Sequence, residues 1–317
     1  MRILVTGASG LIGQTLCQAL VTAGDEVRGL VRSRTCSVAG VTLVEGDLRD
    51  EAGLKDLLTA ALQGIECVVY LAARMHVLAD TAVDPLAGFR ADDRDATLRL
   101  AALAQNAGVK RFVFMSSIGV NGLHTVGRAF SEFSAVAPQS PYAQSKLEAE
   151  EGLRELLAGG PTELVIIRPE LVYAGHAPGD FHRLLKLVSS ATLLPFPLVS
   201  IQRPLAALEN LVDFIVLSTR RPKAMDQIYL VGDEEAVSIR EIIEYLALGM
   251  FRRCLHLPIP PFLLQGARRA LGKLRLYTPL CGSLVVDSSK ALTLGWVPRL
   301  SAKDALVAAE HAYRSTQ

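Results

Sequence analysis

The sequence predicts an α/β fold in which helices cover both faces of a doubly wound parallel sheet. Over the first 170 residues, short apolar runs rich in Val, Ile and Leu alternate with amphipathic stretches of helical period. Continuous apolar strands of this kind are typical of parallel sheets that are buried on both faces. The regular alternation of strand and helix therefore indicates an open sheet of the Rossmann type.

The elements follow in order from these patterns. The predicted strands of the first half are bounded by Gly, Asp or Ser and cover Arg2–Thr6, Glu26–Val31, Thr42–Glu45, Cys67–Leu71, Arg111–Ser116 and Glu163–Arg168. The helices between them are predicted at Leu11–Ala23, Leu54–Leu62, Ala96–Ala107 and Tyr142–Leu157.

The pattern loosens after Pro169, where prolines punctuate the chain. One further strand is predicted at Gln227–Val231, one helix at Ser238–Leu246, and a basic amphipathic stretch at Leu263–Arg275. We therefore expect a nucleotide-binding domain over residues 1–170 and mainly a smaller substrate lobe over residues 171–317. Some elements of that lobe are expected to return to the first sheet.

Composition narrows the class of protein. Half of the 317 residues are hydrophobic and 21% are charged, which is typical of a globular chain. The 33 basic and 32 acidic residues nearly cancel, so no long-range field favours nucleic acid or an anionic membrane. No apolar run is long enough to span a bilayer, and Met1 leads directly into the first strand rather than into a signal peptide. We expect a cytoplasmic protein without membrane insertion.

The cysteines point to a reducing compartment. There are five, at Cys17, Cys36, Cys67, Cys254 and Cys281, and they form no C-x-x-C pair. An odd number of scattered cysteines favours buried thiols over disulfides or a metal site. We therefore predict neither a disulfide nor a bound metal.

A glycine-rich turn follows the first strand and opens the first helix. Gly7 permits a tight turn, Gly10 lets the backbone approach a pyrophosphate, and Gly13 lets the helix pack closely on the strand. The start of the helix then offers N–H groups and a positive dipole end to phosphates. This position in the chain predicts a dinucleotide site whose residues are Gly7, Ser9, Gly10, Leu11, Ile12 and Gly13.

The ends of the next strands bear on which dinucleotide binds. An acidic residue at the end of the second strand would favour NAD, but Arg32 stands there, with Arg28 and Arg34 nearby. Arg32, helped by Arg28 or Arg34, could hold a 2′-phosphate, so NADP is favoured while NAD stays open. Asp47 and Leu48 end the third strand, where an acid commonly meets the adenine. Leu71, Ala72 and Ala73 end the fourth, where small side chains let the backbone approach the cofactor.

Three residues predict the chemistry. Ser117 follows the fifth strand, and Tyr142 and Lys146 open the next helix four residues apart, on one helical face. A lysine cation there should lower the pKa of the tyrosine towards neutrality and hold the nicotinamide ribose. Ser117 would orient the substrate oxygen while Tyr142 exchanges its proton and the nicotinamide exchanges hydride.

With these motifs the sequence resembles the extended short-chain dehydrogenase/reductase family, the relatives of UDP-glucose 4-epimerase. Its bacterial surface-polysaccharide subgroup, of 4-keto reductases and UDP-N-acetylhexosamine 4-epimerases, is the most similar. The resemblance is carried by residues 6–13, 71–77, 116–122, 142–146, 168–173, 209–213, 286–290 and 294–296.

The resemblance implies further roles. It adds Ser116 and Pro169 to the cofactor site, and it implies a UDP-sugar whose diphosphate meets Arg203 and the segment at Asp180. It also implies a homodimer through the helices Ala96–Ala107 and Tyr142–Leu157, where the small residues Ala101, Ala102 and Ala104 would permit close packing, although ordinary burial predicts alanines there too.

Two substitutions depart from the family pattern. Relatives usually carry asparagine at Asp93, where it helps to order the catalytic lysine, and at Asp180, where a carboxylate would repel phosphates. The substrate side therefore departs from the family more than the cofactor side does.

The turn after the fifth strand separates the possible reactions. Dehydratases of this family need an acid and a base beside the serine, and the epimerase-reductases that make fucose need a cysteine, whereas this chain has Ile118 and Gly119. Reduction of a 4-keto sugar and 4-epimerisation remain, and the basic 2′-phosphate site favours the reductase. A non-catalytic NAD(P)-binding protein on the same fold is the alternative from a different class.

Overall fold

The computed structural model describes residues 1–33, 38–73, 84–177, 180–190, 193–197, 202–203, 205–233, 235–252, 255–259 and 283–314. Its centre is a parallel sheet of seven strands, which are β1 (Arg2–Thr6), β2 (Glu26–Val31), β3 (Val41–Glu45), β4 (Cys67–Tyr70), β5 (Arg111–Met115), β6 (Glu163–Pro169) and β11 (Gln227–Val231). Across the sheet these strands follow the order β11-β6-β5-β4-β1-β2-β3.

Helices cover both faces of this sheet, as the sequence predicts. One face packs against α1 (Leu11–Thr22) and α7 (Leu208–Ser218). The other packs against α2 (Glu51–Leu62), α4 (Ala96–Asn106) and α5 (Pro141–Leu157). The two layers of buried Val, Ile, Leu and Phe supply most of the stabilisation, since apolar burial is the dominant favourable term in folding. The doubly wound parallel sheet is thus confirmed.

The outer face of α4 differs from the expectation. Ala101 and Ala104 are fully buried in the protein's own core, against the sheet, because they share the helical face that carries Leu100. Of the three alanines named for close packing between copies, Ala102 alone is half-buried on the outside. The assignment of Ala101 and Ala104 to a dimer face is therefore wrong.

Shorter elements surround the carboxyl edge of the sheet. Between β4 and α4 lie α3 (Pro85–Phe89) and one π-helical turn, Arg90–Asp95, and a 3-10 turn, Ile118–Val120, follows β5. The segments after β6 are β7 (Leu171–Tyr173), α6 (Asp180–Ser190), β8 (Leu193–Pro197), β9 (Gln202–Arg203), β10 (Leu205–Ala207), a 3-10 turn (Pro222–Ala224), β12 (Val237–Ser238), α8 (Ile239–Gly249), β13 (Leu255–Ile259), α9 (Ser289–Leu292) and α10 (Ala302–Arg314). They form three two-stranded sheets, β10 with β7, β12 with β9 and β13 with β8.

One buried carboxylate ties this second half to the main sheet. Asp233, just past β11, accepts hydrogen bonds from the Ala207 N–H at 3.0 Å, from Asn210 Nδ2 at 2.9 Å and from the Tyr173 hydroxyl at 3.0 Å. Asn210 in turn accepts from the Leu300 N–H at 3.1 Å. Strand β11 thus joins the first sheet and organises the elements that follow β6.

The predicted elements agree closely with the structure in the first half. Strands β1, β2 and β11 have the predicted ends, and the remaining sheet strands differ by one residue. Helix α2 begins three residues earlier than predicted, at Glu51. The amphipathic stretch Leu263–Arg275 lies outside the described residues, as do Cys36, Cys254 and Cys281.

The two cysteines that the structure describes, Cys17 and Cys67, are buried free thiols, and burial raises the pKa of the Cys67 thiol to about 12. Within the described ranges no helix has the length and apolar character that a membrane crossing requires.

Candidate active site

The glycine-rich turn between β1 and α1 lies against the end of β4. Gly7 has φ of +65°, and a Cβ there would lie 3.0 Å from the Ala72 nitrogen. A Cβ on Gly13 would lie 2.2 Å from the Gly7 carbonyl oxygen. Both positions therefore require glycine, as predicted, because strand, turn and helix meet without room for a side chain.

The start of α1 is open to a ligand. Its N-cap residue is the exposed Gly10, and no side chain caps the helix. By contrast, Ser140 caps α5 and Ser238 caps α8. Uncapped N–H groups at the positive end of a 12-residue helix fit the diphosphate of a dinucleotide.

The end of β4 is fastened to β1. The backbone N–H groups of Leu71 and Ala72 both donate to Thr6 Oγ1, each at 3.1 Å. Leu71, Ala72 and Ala73 are half-buried beside the glycine turn. The predicted cofactor residues of the first and fourth strands are thus brought together at one edge of the sheet.

Charged residues line the region where the adenosine end is expected. Arg49 makes a two-point contact with the Asp47 carboxylate, at 3.1 Å from Nε and 2.6 Å from Nη2, and lowers the pKa of Asp47 to about 2. The exposed Arg32 contributes to this lowering through its charge. Arg99 donates to the Leu48 carbonyl at 3.0 Å.

Arg28 does not take part in this region. Its guanidinium donates to the carbonyl oxygens of Ala61 and Gln63, at 2.9 and 3.0 Å, and so caps the carboxyl end of α2 at the opposite edge of the sheet. The proposed help of Arg28 in holding a 2′-phosphate is therefore wrong. Arg34 lies outside the described residues, and a 2′-phosphate site here rests on Arg32.

Ser117, Tyr142 and Lys146 meet where β5 and α5 approach each other. Ser117 caps the 3-10 turn, and its Oγ accepts from the Gly119 N–H at 3.1 Å. Ser140 and Pro141 start α5, which puts Tyr142 in the first helical turn. The Lys146 Nζ lies 5.8 Å from the centre of the Tyr142 ring and donates to the Met115 carbonyl at 3.2 Å.

The turn after β5 carries no acidic or basic side chain at Ile118 or Gly119. A Cβ added to Gly119 would stand 3.5 Å from the Ala143 Cβ, in ordinary van der Waals contact. Val120 is fully buried. The arrangement supports proton transfer by Tyr142 and carries no carboxylate at Ile118 or Gly119 for elimination of water.

The electrostatics around Tyr142 differ from the expectation. Burial raises the pKa of Tyr142, and the charge of the Asp93 carboxylate raises it further. Asp93 Oδ1 lies 3.7 Å from Lys146 Nζ, and both side chains are buried. Burial also lowers the pKa of Lys146, while the carboxylate of Asp93 opposes that change. The predicted lowering of the Tyr142 pKa by a free lysine cation is therefore not what this structure shows.

A buried network beneath the site was not predicted. Glu150, one helical turn beyond Lys146, accepts from Arg168 Nε at 2.9 Å and Nη2 at 2.6 Å. Arg168 also donates to Asn121 Oδ1 at 2.9 Å, and the Ser116 hydroxyl donates to Glu150. The Ser116 side chain thus faces the interior. The spacing of four residues between Lys146 and Glu150 could have placed Glu150 on the same face of α5. The partners of Glu150 and Arg168 could not be predicted, because they are distant in the sequence.

The predicted substrate-side residues stand on other elements than β5 and α5. Arg203 is half-buried on β9, which pairs with β12 opposite Val237. The preceding residue, Gln202, accepts from the Leu284 N–H at 3.2 Å through its carbonyl. Asp180 begins α6, and its side chain lies outside the described part. Pro169 is buried at the end of β6, paired with Val231.

Comparison with known proteins identifies the family. Residues 3–232 match the model of the NAD dependent epimerase/dehydratase family. The chain is 36% identical over 300 residues to a UDP-glucose 4-epimerase of Vibrio cholerae, covering 93% of this chain and 90% of the relative. It is 26% identical to an N-acetyl-alpha-D-glucosaminyl-diphospho-ditrans,octacis-undecaprenol 4-epimerase of Escherichia coli O157:H7, again over 93% and 90% of the two chains.

The solved structures agree in fold. A UDP-glucuronic acid 4-epimerase from Bacillus cereus, solved in complex with NAD, superposes with a TM-score of 0.78 at 23% identity, over 100% of this chain and 99% of that one. The predicted family, its enzymatic character and its use of a nicotinamide dinucleotide are confirmed by the family match. The chain therefore belongs to the NAD dependent epimerase/dehydratase family.

Proposed function

We propose that the protein is an NAD-dependent 4-epimerase of a UDP-hexose or UDP-N-acetylhexosamine. The observation that carries the proposal is that Tyr142 and Lys146, at the start of α5, lie against the end of β5, where the turn that begins at Ser117 has no carboxylate at Ile118 or Gly119. Hydride and proton exchange at one carbon needs these three residues and no elimination machinery. The similarity to two 4-epimerases over most of the chain supports the same reaction.

In this mechanism Tyr142 moves the proton. Its phenolate oxygen takes the proton of the C4 hydroxyl, and Ser117 donates a hydrogen bond to the same oxygen as it becomes a carbonyl. A nicotinamide dinucleotide held at the glycine turn would supply the hydride acceptor and donor for C4. The 4-keto sugar then rotates within the site, so that hydride returns to the opposite face of C4. Tyr142 returns the proton to the oxygen, and the product is the C4 epimer.

Lys146 has two tasks in this scheme. Its ammonium lies near the Tyr142 ring, where it stabilises the phenolate relative to the neutral phenol. Lys146 Nζ donates to the Met115 carbonyl, and its remaining hydrogens would hold the nicotinamide ribose. The half-exposed backbone of residues 71–73 and the uncapped start of α1 would hold the rest of the cofactor.

The substrate diphosphate is proposed to bind Arg203. A guanidinium makes two parallel hydrogen bonds to phosphate oxygens, which suits a half-buried arginine on a short strand. Asp180, at the start of α6, is proposed to lie near the same diphosphate and to reduce affinity through its charge.

A 4-keto reductase is the second candidate. The observation that favours it is the exposed Arg32 at the end of β2, whose charge acts on Asp47 and is available to a 2′-phosphate. An NADPH-dependent enzyme would exchange its cofactor after one hydride transfer and reduce a UDP-4-keto-6-deoxy-N-acetylhexosamine. Tyr142 would give its proton to the C4 oxygen as the carbonyl is reduced to a hydroxyl, with Ser117 and Lys146 in the same supporting roles.

We further propose a homodimer through α4 and α5. The packing of these helices leaves Leu98, Ala102 and Leu156 half-buried on or beside their outer surface, and helices of this kind pair across a two-fold axis. A sedimentation mass of two chains is expected, and a variant Ala102→Arg should lower it to one.

The test separates the two reactions. We would release the nucleotide from the purified protein, identify it by mass, and incubate the protein with UDP-glucose or UDP-N-acetylglucosamine without added cofactor. Retained NAD and formation of the C4 epimer are expected. An empty protein that consumes NADPH with the 4-keto substrate would establish the reductase instead. A protein that binds the cofactor but catalyses neither reaction would contradict both proposals.

A further inference from the structure

Asp93 is a buried carboxylate that lies beside Lys146 in the candidate active site. The π-helical turn Arg90–Asp95 directs it inwards, and its side chain is fully buried. Oδ1 lies 3.7 Å from Lys146 Nζ, and Oδ2 accepts from Ser145 Oγ at 3.2 Å. The Asp93 carbonyl accepts from Thr97 Oγ1 at 2.5 Å, which fixes the turn on α4. A buried carboxylate is therefore held in place on the lysine that serves Tyr142.

Two carboxylates flank Lys146, and they differ in how their charge is compensated. Glu150 carries a two-point contact from Arg168 and a hydrogen bond from Ser116. Asp93 is paired with Lys146 itself. The charge of Glu150, compensated by Arg168, acts on Lys146 less strongly than the charge of Asp93 does, and Asp93 also acts on Tyr142.

Other charged groups surround the pair at greater remove or with their own partners. Asp92 on the π-turn is 3.7 Å from Arg49, and Arg99 on α4 donates to the Leu48 carbonyl. Glu148 on the outer side of α5 is paired with Arg90 and Arg94. Tyr70 on β4 is buried, and its pKa is raised by burial and by the charges of Asp93 and Asp92. Asp93 is thus the buried carboxylate that lies close enough to Lys146 to influence its charge directly.

We propose that Asp93 is a positioning residue that holds Lys146 while neutralising its charge, and thereby shifts the ionisation of Tyr142 and the active range of the enzyme to higher pH. This inference rests on the proposed function, in which Tyr142 acts as a phenolate. An ammonium paired with a carboxylate stabilises a nearby phenolate less than a free ammonium does. A neutral side chain at position 93 removes the carboxylate charge that raises the pKa of Tyr142, and it also removes the charge that opposes the burial-lowered pKa of Lys146.

The experiment measures Tyr142 directly and needs no substrate. Protein labelled with ¹³C at tyrosine Cζ is titrated by NMR with and without NAD, and the Tyr142 signal is assigned by its loss in Tyr142→Phe. Asp93→Asn keeps the shape of the side chain and its hydrogen bond from Ser145, and Asp93→Ser is a second neutral variant. In both, the midpoint of the Tyr142 titration is expected to fall by about one pH unit or more.

Two controls isolate the charge. Asp92→Asn removes a neighbouring carboxylate on the same π-turn and is expected to move the midpoint by less than about a third of that amount, because it is partly exposed and paired with Arg49. Ser145→Ala removes the hydrogen bond to Oδ2 and keeps the charge on Asp93. An unchanged or higher midpoint in both neutral variants would overturn the inference.

The outcome is separable from that of the proposed function. A lower Tyr142 midpoint in a protein that converts no UDP-sugar would support the role of Asp93 and contradict the epimerase. With an active enzyme, the rising limb of the kcat/KM profile should move to lower pH by the same amount in Asp93→Asn.

Discussion

The cofactor side and the substrate side of the site are built differently. At the cofactor side, Gly7, Gly13 and Thr6 fit the turn to the sheet so closely that an added methyl group would overlap backbone atoms. At the substrate side, Arg203 stands half-buried on a two-residue strand paired with β12. Under the proposed function, the fold would therefore constrain the hydride and proton chemistry, while residues on short elements would determine which sugar nucleotide binds.

The largest effect is expected from Tyr142→Phe, which removes the proton carrier from the constrained side. Turnover should fall by about 10³-fold, since a positioned acid–base group contributes on that order. NAD binding, measured by fluorescence or calorimetry, should change little. The matched control is Tyr245→Phe on α8, which should leave turnover as it is. Full activity in Tyr142→Phe would remove Tyr142 from the mechanism.

The next largest effect is expected on the free energy of unfolding, through the buried Glu150–Arg168 pair near Lys146. Glu150→Gln leaves Arg168 buried without its carboxylate, which should lower the free energy of unfolding by about 3 kcal/mol. Denaturation in urea measures this change. Glu155→Gln, at an exposed position of the same helix, should change it by less than about 0.5 kcal/mol. Equal effects of the two variants would show that the network does not support the site.

On the substrate side, Arg203→Ala should raise KM for the UDP-sugar by about tenfold through loss of charged hydrogen bonds. The kcat value and the affinity for NAD should stay close to those of the parent. Arg203→Lys should recover part of the affinity, because it restores the charge but not the two-point geometry. A fall in kcat with an unchanged KM would place Arg203 in the chemistry rather than in diphosphate binding.

The smallest effect is expected at Glu170, which lies between β6 and β7. Burial, and then the charge of Asp233, raise the pKa of its carboxyl group well above the usual range. The unfolded chain loses this proton first, so the native state loses stability as the pH rises above the ordinary glutamate pKa. Glu170→Gln should therefore be more stable than the parent at about pH 8, by about 1 kcal/mol, and the difference should shrink near pH 5. A constant difference would contradict the assignment.

The sequence predicted the constrained side well and the remainder less well. Periodicity located the sheet strands to within one residue, and spacing singled out Ser117, Tyr142 and Lys146 as candidates at the end of β5 and the start of α5, because these signals are local. The Glu150–Arg168–Asn121 network and the contacts of Asp233 join residues far apart in the chain, so no local pattern carries them. Helices α7 and α10 were also missed, since the prolines after Pro169 suggested loops.

Arg28 illustrates why a charge cannot be placed from sequence alone. It precedes the cofactor edge by a few residues on β2, yet its side chain caps α2 at the other end of the sheet. The departure at Asp93 was visible in the sequence, but its consequence required the 3.7 Å pairing with Lys146.

Deuterium at the reacting carbon tests the central claim most directly. The protein would be incubated with UDP-[4-²H]glucose, or its N-acetylhexosamine counterpart, without added cofactor, and the C4 epimer examined by NMR and mass. Transient oxidation at C4 with return of the same hydride predicts that the product keeps its deuterium. Deuterium lost to solvent or to added cofactor, or no epimer from either substrate, would contradict the account.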